Sequence, residues 1–190
     1  MKNFLTLCVI ALLGASVQAQ DFPDTDASPM DAAYFPPRAA FRAFADSDEE
    51  KKANEPLIRV VYSRPQKKDR VIFGELVKYG EVWRVGANEA TEITFLQDVK
   101  IGDAKVGAGR YTVYAIPSES EWEVHFSNDN DRWGHYAYKP DESLVTKITV
   151  PTAKTAETLE SFSVVFEAVD GGAHLIMGWD DTMVRVPISL

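Results

Sequence analysis

Between Glu81 and Thr91 an indole, a guanidinium, an amide and a carboxylate crowd around one glycine: Trp83, Arg84, Gly86, Asn88 and Glu89. Trp83 offers a flat apolar face, the next three polar groups offer directed hydrogen bonds, and Gly86 permits a bend or a close backbone approach. That mixture suits a polar ligand built on a ring, such as a carbohydrate, whose C–H groups stack on the indole while its hydroxyls meet amide and carboxylate. The same residues also fit a structural role, a buried Arg84–Glu89 ion pair pinning a loop beneath a core tryptophan. A second cluster precedes them, where Tyr62-Ser63-Arg64-Pro65 leads into Lys67, Lys68 and Arg70 in an otherwise acidic chain. Arg64 is the bidentate donor expected to meet an anionic or polar group. Lys67 and Lys68 read as a solvated loop that keeps a strand edge soluble. Trp133-Gly134-His135-Tyr136 supplies a third aromatic segment to close the same pocket. The expected ligand-binding set is therefore Tyr62, Arg64, Trp83, Arg84, Asn88, Glu89 and Trp133.

A catalytic alternative takes Glu89 as acid or base, with Asp129, Asp131 or His135 as its partner. Glycoside hydrolysis needs two carboxylates about 5–10 Å apart across a cleft, and an ion pair with Arg84 would hold Glu89 ionised, a poor acid. Outside these segments the chain has no Gly-x-Ser-x-Gly elbow, His-Glu-x-x-His helix, phosphate loop or dinucleotide glycine fingerprint. The three histidines, His125, His135 and His174, are dispersed, and neither a metal site nor a cofactor is expected from their spacing. Asn128-Asp129-Asn130-Asp131 resembles half a calcium loop but lacks the required glycine and closing glutamate, so it reads as a turn.

The elements that must position these groups are short and β-like. Leu57–Ser63, Glu92–Val99, Arg110–Pro117, Glu121–Ser127, Leu144–Val150 and Ser161–Val169 have the alternation or β-branched content of strands. The last segment reads as a hairpin, Ala173–Trp179, a turn at Asp180-Asp181, then Val184, Val186 and Ile188 facing one way. Gly102-Asp103, Gly107-Ala108-Gly109 and Asp170-Gly171-Gly172 mark turns. About eight to eleven such strands without a long amphipathic helix predict an all-β fold, an antiparallel two-sheet sandwich or jelly roll over residues 57–190. Ahead of it, residues 20–56 are acidic and punctuated by Pro23, Pro29, Pro36, Pro37 and Pro56. They read as an N-terminal arm, extended at first and helical near 38–53, with a flexible linker as the alternative.

The first residues have the layout of a secretory signal peptide: Lys2, an apolar run from Phe4 to Ala15, and small residues at Val17 and Ala19, with cleavage after Ala19. A periplasmic or secreted protein is expected, with no integral membrane span in the mature chain. Cys8, the single cysteine, lies inside the apolar run, so the mature chain would have no thiol and no disulfide. The whole chain has 190 residues, with 29 acids against 20 Lys plus Arg and a net charge of -9. Nucleic acid is not an expected partner, because its binding needs a cationic field, and anionic lipid is disfavoured on the same ground. What remains is a small polar ligand, or an unidentified protein partner met by the acidic arm and strand edges of an envelope or structural module.

Tyr62-Ser63-Arg64-Pro65, Ile72-Phe73-Gly74-Glu75-Leu76-Val77, Tyr79-Gly80-Glu81-Val82-Trp83-Arg84 and Gly86-Ala87-Asn88-Glu89-Ala90-Thr91 follow one another in an order that resembles a known family. It is the bacterial family catalogued as domain of unknown function number twenty-nine eleven. Ala108-Gly109-Arg110-Tyr111, Ile116-Pro117, Trp122, Trp133-Gly134 and Trp179–Ile188 extend the resemblance over nearly all of residues 57–190. Ser28-Pro29-Met30-Asp31 resembles the arm of one subgroup. The resemblance implies an exported protein of a type common in the Bacteroidetes, and it brings no catalytic roles with it.

Overall fold

Alternating burial turns the β-like segments into strands in the computed structural model, which describes residues 21–190. The proposed signal peptide and its cleavage site lie outside the described residues. The strands are β1 (Met30–Phe35), β2 (Ile58–Ser63), β3 (Glu92–Phe95), β4 (Val99–Ile101), β5 (Ala104–Val106), β6 (Gly109–Pro117), β7 (Glu121–Ser127), β8 (Leu144–Val169) and β9 (Gly172–Ser189). The class is all-β and antiparallel. Hydrogen bonding runs through one order, β1-β2-β3-β6-β7-β8-β9-β4-β5, in which β8 joins the ladders of β1, β2, β3, β6 and β7 to those of β9, β4 and β5.

The long strands make that single order possible. Leu144–Val150 and Ser161–Val169 were expected to be separate strands, yet they are the two halves of β8. The first half pairs with β7 and the second with β9. The intervening Thr-Ala-Lys-Thr-Ala-Glu stretch has little to bury, but Lys154 pairs with Thr182 across the ladder and the Thr155 hydroxyl donates to the Asp180 carbonyl. A correction follows at Asp180-Asp181, which is not a hairpin turn. Asp180 has φ 57° and lies inside β9, opposite Leu159, where the register shifts. It is a bulge, and an Asp tolerates the left-handed backbone that a bulge needs. The true hairpin between β8 and β9 turns at Asp170-Gly171, with Gly171 at φ 72°. Val184, Val186 and Ile188 do face the core together.

The arm residues join the sheet. β1 pairs with β2 from Met30↔Ser63 to Phe35↔Ile58. A short 3-10 helix (Ala39–Phe44) and α1 (Asp48–Ala53) follow, the latter capped by the Ser47 hydroxyl accepting from the Glu50 N–H. α2 (Pro140–Ser143) is a single turn before β8. Among the described residues no helix is long and apolar enough to cross a membrane.

The core gathers around tryptophans. Trp83 meets Trp122 edge-on at 5.5 Å, Phe162 at 5.3 Å and Phe73 at 5.9 Å, and lies nearly parallel to Trp179 at 6.3 Å. Such pairs add about 0.5–1.5 kcal/mol each beyond the area they bury. This cluster joins β7, β8 and β9 to the irregular segment 64–91. A connection of that length without regular structure is uncommon in a compact fold, and its usual justification is function.

Candidate functional site

The 64–91 segment is held down at a few points. Trp83 and Ala115 exchange backbone hydrogen bonds of 2.8 and 2.9 Å, so the segment borrows the edge of β6. The Trp83 indole N–H donates to the Gly86 carbonyl at 3.2 Å. Between them Val85 is fully buried at φ 56°, a backbone conformation that a β-branched residue rarely adopts. Gly86 then passes so close to β2 that a Cβ would sit 3.1 Å from the Ser63 carbonyl oxygen. These restraints fix the backbone on both sides of Arg84.

Beside Arg84 lies a hollow of about 470 Å³, within the range of small-molecule sites. Its walls come from five remote pieces of chain: Ala27 and Ser28, the stretch from Pro65 that contributes Lys68 and Arg70, the stretch between Leu76 and Ala87, His135, and Trp179. Lys68, Arg70, Lys78 and Arg84 line it against one carboxylate, Glu81. Among the described residues none of these four cations is in an ion pair. Two of its lining residues have buried polar atoms without a hydrogen-bond partner, Arg84 Nε and His135 Nδ1. Burial lowers the His135 pKa below its ordinary 6.5, the Arg84 charge lowers it further, and Glu81 partly offsets both. Buried polar atoms are normally satisfied, so two residues of one cationic wall keep hydrogen-bonding capacity that the fold does not use.

The seven residues expected to form one pocket do not share one surface. Trp83 and Arg84 line the hollow. Tyr62 is buried in the core, its ring edge-on to Phe162 at 5.7 Å, and burial raises its pKa. Arg64 is engaged within the fold: its guanidinium donates to the Phe162 carbonyl (3.2 Å), Asp31 (3.0 Å) and the Ser163 hydroxyl (3.0 Å). It staples β1 and β2 to β8. Asn88, at φ 56°, donates to Asp26 at 2.9 Å and so fixes the strand of chain that supplies Ala27 and Ser28. Glu89 is exposed and shares a β-bridge with Trp133 rather than an ion pair with Arg84. Trp133 is 63% exposed and outside the hollow. His135, two residues on, is the member of that segment that reaches it.

Of the carboxylates considered as partners for Glu89, Asp129 is paired with Arg132 at 2.6 Å and Asp131 with Arg110 at 2.6 Å. Lys67 is held by Asp180 at 3.2 Å, whereas Lys68 and Arg70 line the hollow. The segment Trp133-Gly134-His135-Tyr136 does reach the hollow, through His135 and not Trp133, while the Ala27-Ser28 wall escapes a reading of local motifs. The available signal for the wall was the Ser28-Pro29-Met30-Asp31 run. Among the described residues no cluster of three or more His, Cys, Asp or Glu could hold a metal ion.

Among the described residues, nine antiparallel strands and a cationic hollow walled by the irregular segment 64–91 define a small all-β protein. A model of the family described as protein of unknown function (DUF2911) matches residues 46–188, and the chain belongs to that family. No curated protein and no solved structure matches the chain. The matched span includes Arg84 and His135, while Ala27 and Ser28 precede it.

Proposed function

We propose that the protein is an exported ligand-binding protein whose hollow takes a small polar ring compound bearing an acidic group, a sugar acid being the fitting class. The observation that supports this most is the lining of the hollow, where Lys68, Arg70, Lys78 and Arg84, none in an ion pair among the described residues, face one carboxylate, and Arg84 Nε and His135 Nδ1 have no hydrogen-bond partner. A carboxylate placed there would accept from Arg84 in a charge-assisted hydrogen bond, worth about 1.5–3 kcal/mol. The indoles of Trp83 and Trp179, with Leu76, Val77 and Val82, give the apolar part of the lining that a ring needs. Export is supported by the signal-peptide layout of the first residues.

Isothermal titration with glucuronate and with glucose tests the reading. Glucuronate should bind and glucose should bind at least about 10-fold more weakly, the cost of losing one charged hydrogen bond. Arg84→Leu should remove the difference. Equal affinity for both sugars in wild type and variant would overturn the proposal.

A further inference from the structure

Next to the hollow the surface has a feature that its chemistry does not use. Trp133 is 63% exposed and Tyr136 is 73% exposed, and their rings lie 6.1 Å apart at an interplanar angle of 29°. The Tyr136 ring in turn lies 4.9 Å from the His135 ring at 34°. Because His135 lines the hollow, the three rings make a continuous aromatic strip from its wall to open solvent.

The strip is held in place. Gly134 N–H donates to the Asn88 carbonyl and Ala90 N–H to the Arg132 carbonyl, each at 2.8 Å. Those two bonds flank the Glu89↔Trp133 bridge, which makes Glu89 and Trp133 a non-hydrogen-bonded antiparallel pair. In such a pair the two side chains share a face and lie closest together. Glu89 is thereby a carboxylate acceptor beside the indole, with no ion pair of its own among the described residues. Gly134 has φ 78°, and a Cβ there would sit 2.5 Å from the Tyr136 ring, so the glycine lets that ring lie against the loop.

We propose that Trp133 and Tyr136 form a sugar-stacking subsite continuous with the hollow, and that the ligand is therefore an oligosaccharide rather than a single sugar. The acidic unit of that ligand rests on the reading of the hollow given above; the stacked unit does not. The C–H face of a pyranose covers the exposed rings, and its hydroxyls donate to Glu89. A protein partner or a second copy fits less well. A stable protein interface buries about 800 Å² on each side, and the platform is bordered by the exposed, polar Arg132 and Asp131.

The test compares galacturonate with its linear tetramer, and a neutral cellotetraose as control, on wild type and on Trp133→Ala/Tyr136→Ala. Both substitutions are at exposed positions, and an unchanged melting temperature verifies the fold. The tetramer should bind wild type at least 10-fold more tightly than the monomer, and the double variant should lose that gain while keeping monomer affinity. Equal affinity of wild type for monomer and tetramer, or a chain-length gain that survives in the variant, overturns the subsite. Cellotetraose binding that depends on Trp133, with no uronate bound, supports the platform and overturns the acidic reading of the hollow. Concentration-dependent dimerisation in sedimentation velocity that the variant abolishes assigns the rings to a second copy and overturns the saccharide.

Discussion

Two histidines of this protein sit in opposite circumstances. His125 is 3% exposed and both its ring nitrogens are engaged, Nδ1 with the Tyr138 hydroxyl at 2.8 Å and Nε2 with Glu123 at 2.7 Å. Glu123 is also paired with Lys147 at 2.9 Å. His135 has a buried Nδ1 with nothing to bond. The same contrast holds between two arginines, since Arg64 donates to three partners and Arg84 leaves its Nε orphaned. A saturated polar group holds the fold together, whereas an unsaturated one costs stability and has to be repaid by what it binds.

The largest expected effect breaks the contrast at the histidines. His125→Leu should cost about 2–3 kcal/mol in urea denaturation, because it leaves the Tyr138 hydroxyl without its partner and takes from Glu123 one of its two partners, Lys147 remaining. His135→Leu should change stability by less than about 1 kcal/mol, since no partner is lost. If the two variants are equally destabilised, orphaned and paired groups are not doing different jobs and the hollow has no special standing.

The arginines give a smaller version of the same test. Arg64→Leu removes three hydrogen bonds that join β1 and β2 to β8, and its side chain is 38% exposed, so a loss of about 1–2 kcal/mol is expected after solvent screening. Arg84→Leu should be neutral or slightly stabilising, because it removes a buried donor that pays desolvation without a bond. Measured together with glucuronate affinity, Arg84→Leu should separate binding from folding, while Arg64→Leu should not.

That contrast also explains what could be read in advance. The all-β class, the positions of β2, β6 and β7 and the turn at Asp170-Gly171-Gly172 follow from alternation and turn chemistry, which are local. The expectation that Trp83 and Arg84 share one concavity was readable because the motif that contains them forms a wall of the hollow. Arg64 was misplaced because its partners Phe162 and Ser163 lie 98 and 99 residues away, and no local pattern records that a later strand will saturate it. Asp180-Asp181 has the composition of a turn, yet its neighbours across the ladder make it a bulge. Tyr62 shows the limit on the other side: its alternation on β2 fixed only that it lies on the core face, and the approach of β8 decided that no ligand could reach it.

A pH series sharpens the comparison further. His135 has a folded pKa below 6.5, so between that value and 6.5 the unfolded chain binds a proton that the folded chain does not. Its contribution to stability is full above 6.5 and is lost as pH falls through the window below it. Glu123 is lowered from 4.5, first by the Lys147 hydrogen bond and then by His125, so its contribution is held above 4.5 and lost as pH falls further. Denaturation from about pH 7.5 to 3 should therefore show two descents. His135→Gln should remove the upper one and Lys147→Gln should weaken the lower one. A profile unchanged by His135→Gln would mean that the ring is not desolvated at all.

The smallest effect concerns the wall of the hollow that precedes the family match. Asn88 ties down Asp26 at 2.9 Å, and Asp26 in turn accepts the Ser28 N–H at 2.6 Å. Asn88→Gly keeps the φ 56° backbone and removes only the side-chain link. Because the link is exposed, global stability should fall by no more than about 0.5–1 kcal/mol. Amide exchange at Ala27 and Ser28 should nonetheless accelerate several-fold, as the wall opens without the sheet unfolding. If the hollow binds through Arg84 and His135, the variant should keep its preference for glucuronate over glucose and lose affinity for both, since the wall shapes the hollow while the cations choose the charge. Loss of the preference itself would place the selectivity in residues 26–28 and take it away from Arg84.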